Sequence, residues 1–306
     1  MKRVGFIGLG NMGISMAENL LKDGFPLTGY DLDPGQLETL KRLGGVPAAH
    51  CREVGENADA VFVMVLSGAQ IEQALFGEEG LLAGLAPGST LIVSATIHPS
   101  EVRALEEPLR ARGIHLVDTP VSGGKPGAAA GTLTLMAAAP QAVFDDVQPV
   151  LQAVAGNIFH VGEEIGLGQT VKASLQALIG SSFTAIFESL VLGVKSGAKA
   201  ETLFEVFRSS GVGSPLFENA AALIMERRFK DTGSHIGTMY KDLGITMNMA
   251  KENGVSMFTT SAAFELFQAG ISLFPDEDNW SIVKLLEQIA GTEVKKTDPQ
   301  LPEGNQ

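Results

Sequence analysis

The chain has 306 residues, 45% hydrophobic and 19% charged: enough apolar material for two packed domains, and too much for a disordered segment. Its formal net charge of −13 repels polyanions, which excludes nucleic acid and anionic membranes as general partners. It leaves room for a small anionic ligand held by local lysines. The single cysteine, Cys51, cannot form an internal disulfide, so a cytoplasmic location and a buried thiol without a role are expected.

The N-terminus, Met1-Lys2-Arg3-Val4-Gly5-Phe6-Ile7-Gly8, has too short an apolar run for a signal sequence. Residues 1–161 then alternate short apolar runs with amphipathic stretches. Val4–Ile7, Leu27–Tyr30, Ala60–Leu66, Thr90–Ser94, His115–Val117, Leu133–Ala137 and Ile158–Val161 read as strands. Their nearly continuous apolar character is that of strands buried on both faces. Ile14, Ala17, Leu20 and Leu21 form one helical face, Leu37, Leu40 and Leu43 another, and Val102, Leu105 and Leu109 a third. Strand–helix repetition of this kind predicts an α/β domain with a Rossmann-type, doubly wound, mainly parallel sheet, over residues 1–164.

The pattern changes past a glycine-rich hinge, Gly162 to Gly168. One long helix is predicted from Gln169 to about Lys195, apolar on most of its circumference and therefore buried, against another subunit as well as its own chain. Its richest stretch, Val171 to Val194, carries Lys172 and Glu188 and reads as a core helix, not a membrane span. Helical stretches follow at 199–209, 215–228, 234–253, 258–270 and 279–290, with no recurring strand. Residues 165–294 are thus expected to form an all-α domain joined through the long helix. The polar residues 295–306 are expected to be a flexible tail.

Gly8-Leu9-Gly10-Asn11-Met12-Gly13 follows a strand and opens a helix. Gly8 allows a tight turn, Gly10 lets a pyrophosphate approach the backbone, and Gly13 lets helix and strand pack closely. The helix start, with Asn11 and Met12, offers N–H groups to phosphate. Asp31 ends the second strand, where a carboxylate accepts ribose hydroxyls and repels a 2′-phosphate. No arginine or lysine follows until Lys41, so NAD is expected rather than NADP. A glycine turn of purely structural use is the bland alternative, made weaker by the strand–turn–helix context.

Two further segments carry polar groups suited to a small substrate. In Asp118-Thr119-Pro120-Val121-Ser122-Gly123-Gly124, a hydroxyl followed by two glycines offers N–H donors to a carboxylate. Lys172, in Gly166-Leu167-Gly168-Gln169-Thr170-Val171-Lys172, lies near the start of an apolar helix. Partial desolvation there lowers a lysine's pKa and suits it to proton transfer near neutral pH. Gln176, four residues on, shares its helix face. Gly180, one turn further, leaves room along that face or marks close helix packing. His50, His115, His160 and His235 show no metal-binding spacing, and no metal site is expected.

Together Gly5 to Gly13, Asp118 to Gly124, Gly166 to Lys172 and Tyr240-Lys241-Asp242-Leu243-Gly244 resemble the β-hydroxyacid dehydrogenases, the 3-hydroxyisobutyrate dehydrogenase-like family, over about residues 3–291. The resemblance implies hydride transfer between NAD and a small anionic hydroxy acid. It implies Lys172 as the catalytic acid/base, Ser122, Gly123, Gly124 and Gln176 as substrate contacts, and Lys241 reaching the cofactor. It also implies support of the cofactor by Leu66 and Ser67, where the family often has proline instead of serine, and a nicotinamide-ribose contact at Thr96. The family commonly has asparagine where Gln176 stands. Gln is similar to the branch containing L-threonate dehydrogenase, which implies a four-carbon sugar acid. A homodimer or homotetramer is expected. The rival readings are a reductase of tartronate or succinic semialdehyde, an imine reductase, which usually lacks the helix lysine, and a non-catalytic dinucleotide-binding module.

Overall fold

The structure is a computed structural model that describes residues 1–297. By internal contacts the chain divides at Ser174/Leu175 into two compact units.

The first unit is built on nine strands: β1 Val4–Ile7, β2 Leu27–Tyr30, β3 Val46–Pro47, β4 Ala60–Val63, β5 Thr90–Val93, β6 His115–Asp118, β7 Val121–Ser122, β8 Leu133–Ala138 and β9 Ala155–Gly162. The sheet order is β3-β2-β1-β4-β5-β6, all parallel, after which β8 runs antiparallel to β6 and β7. β9 pairs in parallel with the other edge of β8. This is the expected doubly wound, mainly parallel sheet. Every residue of β1, β4 and β5 is buried, because helices cover both faces of the centre. β9 is different: it closes the edge, starts three residues earlier than its apolar run suggests, and leaves Phe159 exposed.

One core layer gathers Phe6, Met16, Leu20, Phe62, Leu135 and Val147. The other gathers Val61, Ile71, Leu75, Leu91, Val102 and Leu109. Three helices not singled out by sequence reading, Cys51–Glu56, Gly68–Phe76 and Gln141–Gln152, supply part of these layers. Cys51 opens the first of them, and burial pushes its thiol up to about 11, so it stays protonated.

The connection across 163–166 leads into the helix Leu167–Lys195, which enters the second unit at Leu175. Among the described residues it is the one helix long and apolar enough to span a bilayer. It nevertheless carries Lys172 and Gln176 buried within protein, the mark of a core helix in a folded chain. The second unit adds helices Ala200–Arg208, Pro215–Met225, Ile236–Glu252, Phe258–Leu273 and Ile282–Ala290, around Phe187, Phe217, Leu243, Phe267 and Trp280. The predicted 279–290 helix opens as a 3-10 turn, Asn279–Ser281. Lys296 and Thr297 are tied to Met225 and Glu201 by hydrogen bonds. The remainder of the expected tail, 298–306, lies outside the described residues.

Candidate active site

The glycine motif sits at the point where strand order reverses, between β1 and β4. Gly8 has a φ of +88°, and a Cβ there would lie 2.3 Å from the carbonyl oxygen of Met64, just past β4. At Gly13 a Cβ would lie 1.9 Å from the Gly8 carbonyl oxygen, so turn and helix touch backbone to backbone. Gly10 differs: a Cβ there would meet nothing within 4 Å. That open face is what a pyrophosphate needs. No side chain caps the helix Gly13–Lys22 that begins here, so its first turn keeps the partial positive charge that attracts phosphate. Asn11 is exposed and Met12 half-buried beside it.

Asp31 lies one residue past β2. Its Oδ2 accepts the Leu9 N–H at 2.6 Å, and its Oδ1 accepts the Asp33 N–H at 2.8 Å. The carboxylate is thereby locked to the glycine turn. Two backbone bonds leave it lone pairs for further donors. A dinucleotide fits these residues.

The loops after β4 and β5 complete this edge. Leu66 is exposed, and its N–H donates to the Gln70 side chain. Ser67 caps the helix Gly68–Phe76, its hydroxyl accepting from the Gln70 N–H at 3.3 Å. After β5, Thr96 is half-buried between the buried Ala95 and Ile97. His98 is a helix cap too, forming a capping box with Glu101.

Sequence reading placed a hydroxyl and N–H donors for a carboxylate at Ser122–Gly124, without assigning them to a regular element. The structure joins a strand to a helix there. Ser122 belongs to β7, paired with Thr134, and Gly124 already begins the helix Gly124–Ala130. Gly123, with a φ of +130°, makes the turn, and no side chain caps the helix start.

The buried carboxylate of Asp118, at the end of β6, holds the start of the long helix. Its Oδ2 accepts from the Gly166 N–H at 2.9 Å and the Gln169 N–H at 3.2 Å, and its Oδ1 accepts from Gln169 Nε2 at 3.0 Å. Burial pushes the Asp118 carboxyl up to about 6, against the pull of these donors. Gln169 also donates Nε2 to the Ala95 carbonyl at 3.0 Å and accepts the Ile97 N–H at 3.1 Å. Sequence reading passed over both residues. The available signal was an acidic residue ending an apolar strand and an amide three residues before a helix lysine. Lys172 follows on this helix and is only 6% exposed.

In the second unit, Gln176 donates Nε2 to Asp242 Oδ2 at 2.6 Å. Lys241 Nζ lies 2.8 Å from the other oxygen of the same buried carboxylate. An ionised carboxylate only accepts, so the Gln176 amide nitrogen must face it and the amide oxygen is turned away. Gly180 marks close packing: a Cβ there would lie 2.8 Å from Leu243 Cδ2. Two surface hollows, beside Phe25 and Pro149 and beside Arg110 and His115, include none of these residues.

Residues 3–162 match a family model described as the NAD binding domain of 6-phosphogluconate dehydrogenase. Residues 166–286 match one described as NAD-binding of NADP-dependent 3-hydroxyisobutyrate dehydrogenase. The chain is 34% identical over 294 residues to 2-(hydroxymethyl)glutarate dehydrogenase of Eubacterium barkeri, covering 95% of this chain and 97% of that protein. It is 33% identical over 289 residues to L-threonate dehydrogenase of Cupriavidus necator, covering 94% and 97%. A crystal structure described as 3-hydroxyisobutyrate dehydrogenase from Salmonella typhimurium superposes with a TM-score of 0.84 at 31% identity, covering 92% and 99%.

Proposed function

The chain belongs to the β-hydroxyacid dehydrogenase family, and within it we propose an NAD-dependent enzyme that oxidises the hydroxyl of a small β-hydroxy acid, with Lys172 as its acid/base. The observation that carries the proposal is Lys172 itself, 6% exposed near the start of a helix held by Asp118. Buried lysines are rare because their solvation is lost, and one beside a ligand-binding edge is a candidate for proton transfer.

The Gly8–Gly13 turn and the uncapped helix behind it would hold the pyrophosphate, and Asp31 the adenosine ribose. Leu66, Ser67, Thr96 and Lys241 are assigned to the rest of the cofactor. Asp31 opposes a 2′-phosphate, which favours NAD. When bound, NAD supplies the acceptor for the hydride that leaves the substrate carbon. Lys172 takes the proton from the adjoining hydroxyl as the carbonyl forms, and returns it in the reverse direction. Ser122 and the N–H groups at Gly123 and Gly124 hold the substrate carboxylate, aided by the uncapped helix start.

Gln176 narrows the substrate. Asp242 takes its amide nitrogen, so the oxygen is left to accept from a substrate donor. A second hydroxyl, as in a four-carbon sugar acid such as threonate, meets that need. The chain acts as a homo-oligomer.

The test is reduction of NAD followed by absorbance, with NAD and NADP, against threonate, glycerate, 3-hydroxyisobutyrate and 2-(hydroxymethyl)glutarate. Threonate is expected to give the highest kcat/KM with NAD. Lys172→Ala is expected to lower kcat by about 10²–10⁴-fold while NAD still binds. Turnover equal to the parent in that variant would dismiss the assignment.

A further inference from the structure

We propose that Gln169 is a positioning residue that holds the Thr96 segment and the start of the Lys172 helix in one register, with Asp118 as its buried anchor. This rests on the reading of Thr96 as a cofactor contact and of Lys172 as the proton-transfer group.

One side chain makes three of the bonds concerned. Its oxygen accepts the Ile97 N–H and its nitrogen donates to the Ala95 carbonyl, the backbone groups on either side of Thr96. A neighbouring strand would offer the chain the same donor–acceptor pair, yet β5 has already ended at Val93. The amide cannot be reversed, since that would set donor against donor at Ile97 and acceptor against acceptor at Ala95. The nitrogen's second bond, to Asp118 Oδ1, fixes the side chain from behind. Asp118 Oδ2 meanwhile holds the helix through the N–H groups of Gly166 and Gln169. All of these atoms lie in the first unit, and both side chains are buried.

The geometric consequence follows from helix spacing. Gln169 and Lys172 are three residues apart, neighbours on the helix surface and about 4.5 Å apart along its axis. A shift of the helix start therefore moves Lys172 and pulls on the Thr96 segment together. Proton and hydride transfer need their groups placed to within about 1 Å, and an error of that size costs about 10²-fold in rate. A polar pair buried this deeply, spanning a strand end, a loop and a helix start, supplies that placement.

The experiment uses four variants of the full chain: Gln169→Met, Gln169→Glu, Asp118→Asn and Asp118→Asn with Gln169→Glu. Measured for each are kcat with the best acid of the panel, Kd for NADH and for ADP-ribose, and the thermal midpoint. Gln169→Met keeps side-chain length and removes the polar atoms. It is expected to lower kcat about 10- to 100-fold and to weaken NADH. ADP-ribose, which lacks the nicotinamide, is expected to bind within about twofold of the parent. Each polar single variant sets like groups against each other. In the double variant the amide introduced at position 118 donates to the carboxylate introduced at position 169, which restores that one bond with its direction exchanged and leaves only the contact with the Ala95 carbonyl unmatched. The double is expected to turn over at least about fivefold faster than Gln169→Glu.

The proposal is overturned if Gln169→Met keeps kcat within about threefold. It is equally overturned if that variant loses NADH and ADP-ribose alike, which marks general loosening, or if the double is no better than the worse single. Lys172→Ala run alongside separates the two readings. If Lys172→Ala is inactive and Gln169→Met is not, only the positioning role fails. If Lys172→Ala is active, the reading beneath it fails.

Discussion

Asp118 shows how one carboxylate couples folding to pH. Its folded value is about 6, raised by burial above an ordinary value near 3.8. Between those two values the folded chain holds a proton that the unfolded chain has released. Stability contributed at this site therefore rises as pH falls through 6 and levels off below about 4, by about 3 kcal/mol in all. Asp59, lowered by its Arg3 partner, works in the opposite sense and loses its contribution on acidification. The clean measurement is thus a difference: denaturant unfolding of parent and Asp118→Asn from pH 4 to 7.5. The parent should gain on the variant as pH drops. Parallel curves would show that Asp118 does not titrate in this window. Asp118 and Gln169 were also the residues hardest to read from sequence. Asp31 and Lys172 carry local signals, a strand end after a glycine turn and a charge in an apolar helix. The Asp118–Gln169 partnership joins positions 51 apart, and no local pattern announces it.

At the scale of elements, the strand–turn–helix around the glycine motif separates structural from ligand-facing glycines. A Cβ at Gly13 collides with backbone at 1.9 Å, which neither rotamer nor side-chain shift can relieve. Gly13→Ala should cost about 3 kcal/mol or more, read as a lowered thermal midpoint, and should lose NAD binding with it. Gly10→Ala adds its methyl to open space. It should leave the midpoint within about a degree and still weaken NAD at least about tenfold, because the methyl occupies the ligand's approach. Equal midpoints for the two variants, or undiminished NAD affinity in Gly10→Ala, would contradict this division. The same contrast explains what was legible. β1, β4 and β5 are buried on both faces and announce themselves as apolar runs. β3 and β7 are two residues long, too short to show any period. Ser122 and Gly124 carry no strand or helix signal of their own, because serine and glycine disfavour regular structure locally. Pairing with β8 draws Ser122 into β7, and Gly124 opens the helix Gly124–Ala130.

At the scale of the whole molecule, the long helix was expected to be buried nearly all round, and within one chain it is not. Leu178 is 66% exposed and Leu192 69% exposed. They stand 14 residues apart, close to four turns, and so share nearly one face, with the exposed Ala185 midway. The opposite face, with Phe183, Phe187 and Leu190, is buried in the second unit's core. Lone exposed leucines are ordinary on a soluble surface, but two on one face of a helix this apolar make that face the candidate for association. The net charge of −13 opposes random aggregation and leaves a specific apolar contact as the route to association. The chain is therefore expected to elute as a dimer or tetramer in light-scattering chromatography. Leu178→Glu with Leu192→Glu should shift it toward the monomer, since burying two carboxylates without partners costs several kcal/mol. Neither position lies in the proposed catalytic machinery, so any loss of turnover in the double variant would report on assembly. A parent that runs as a monomer, or a double variant of unchanged mass, would remove this helix face from the assembly.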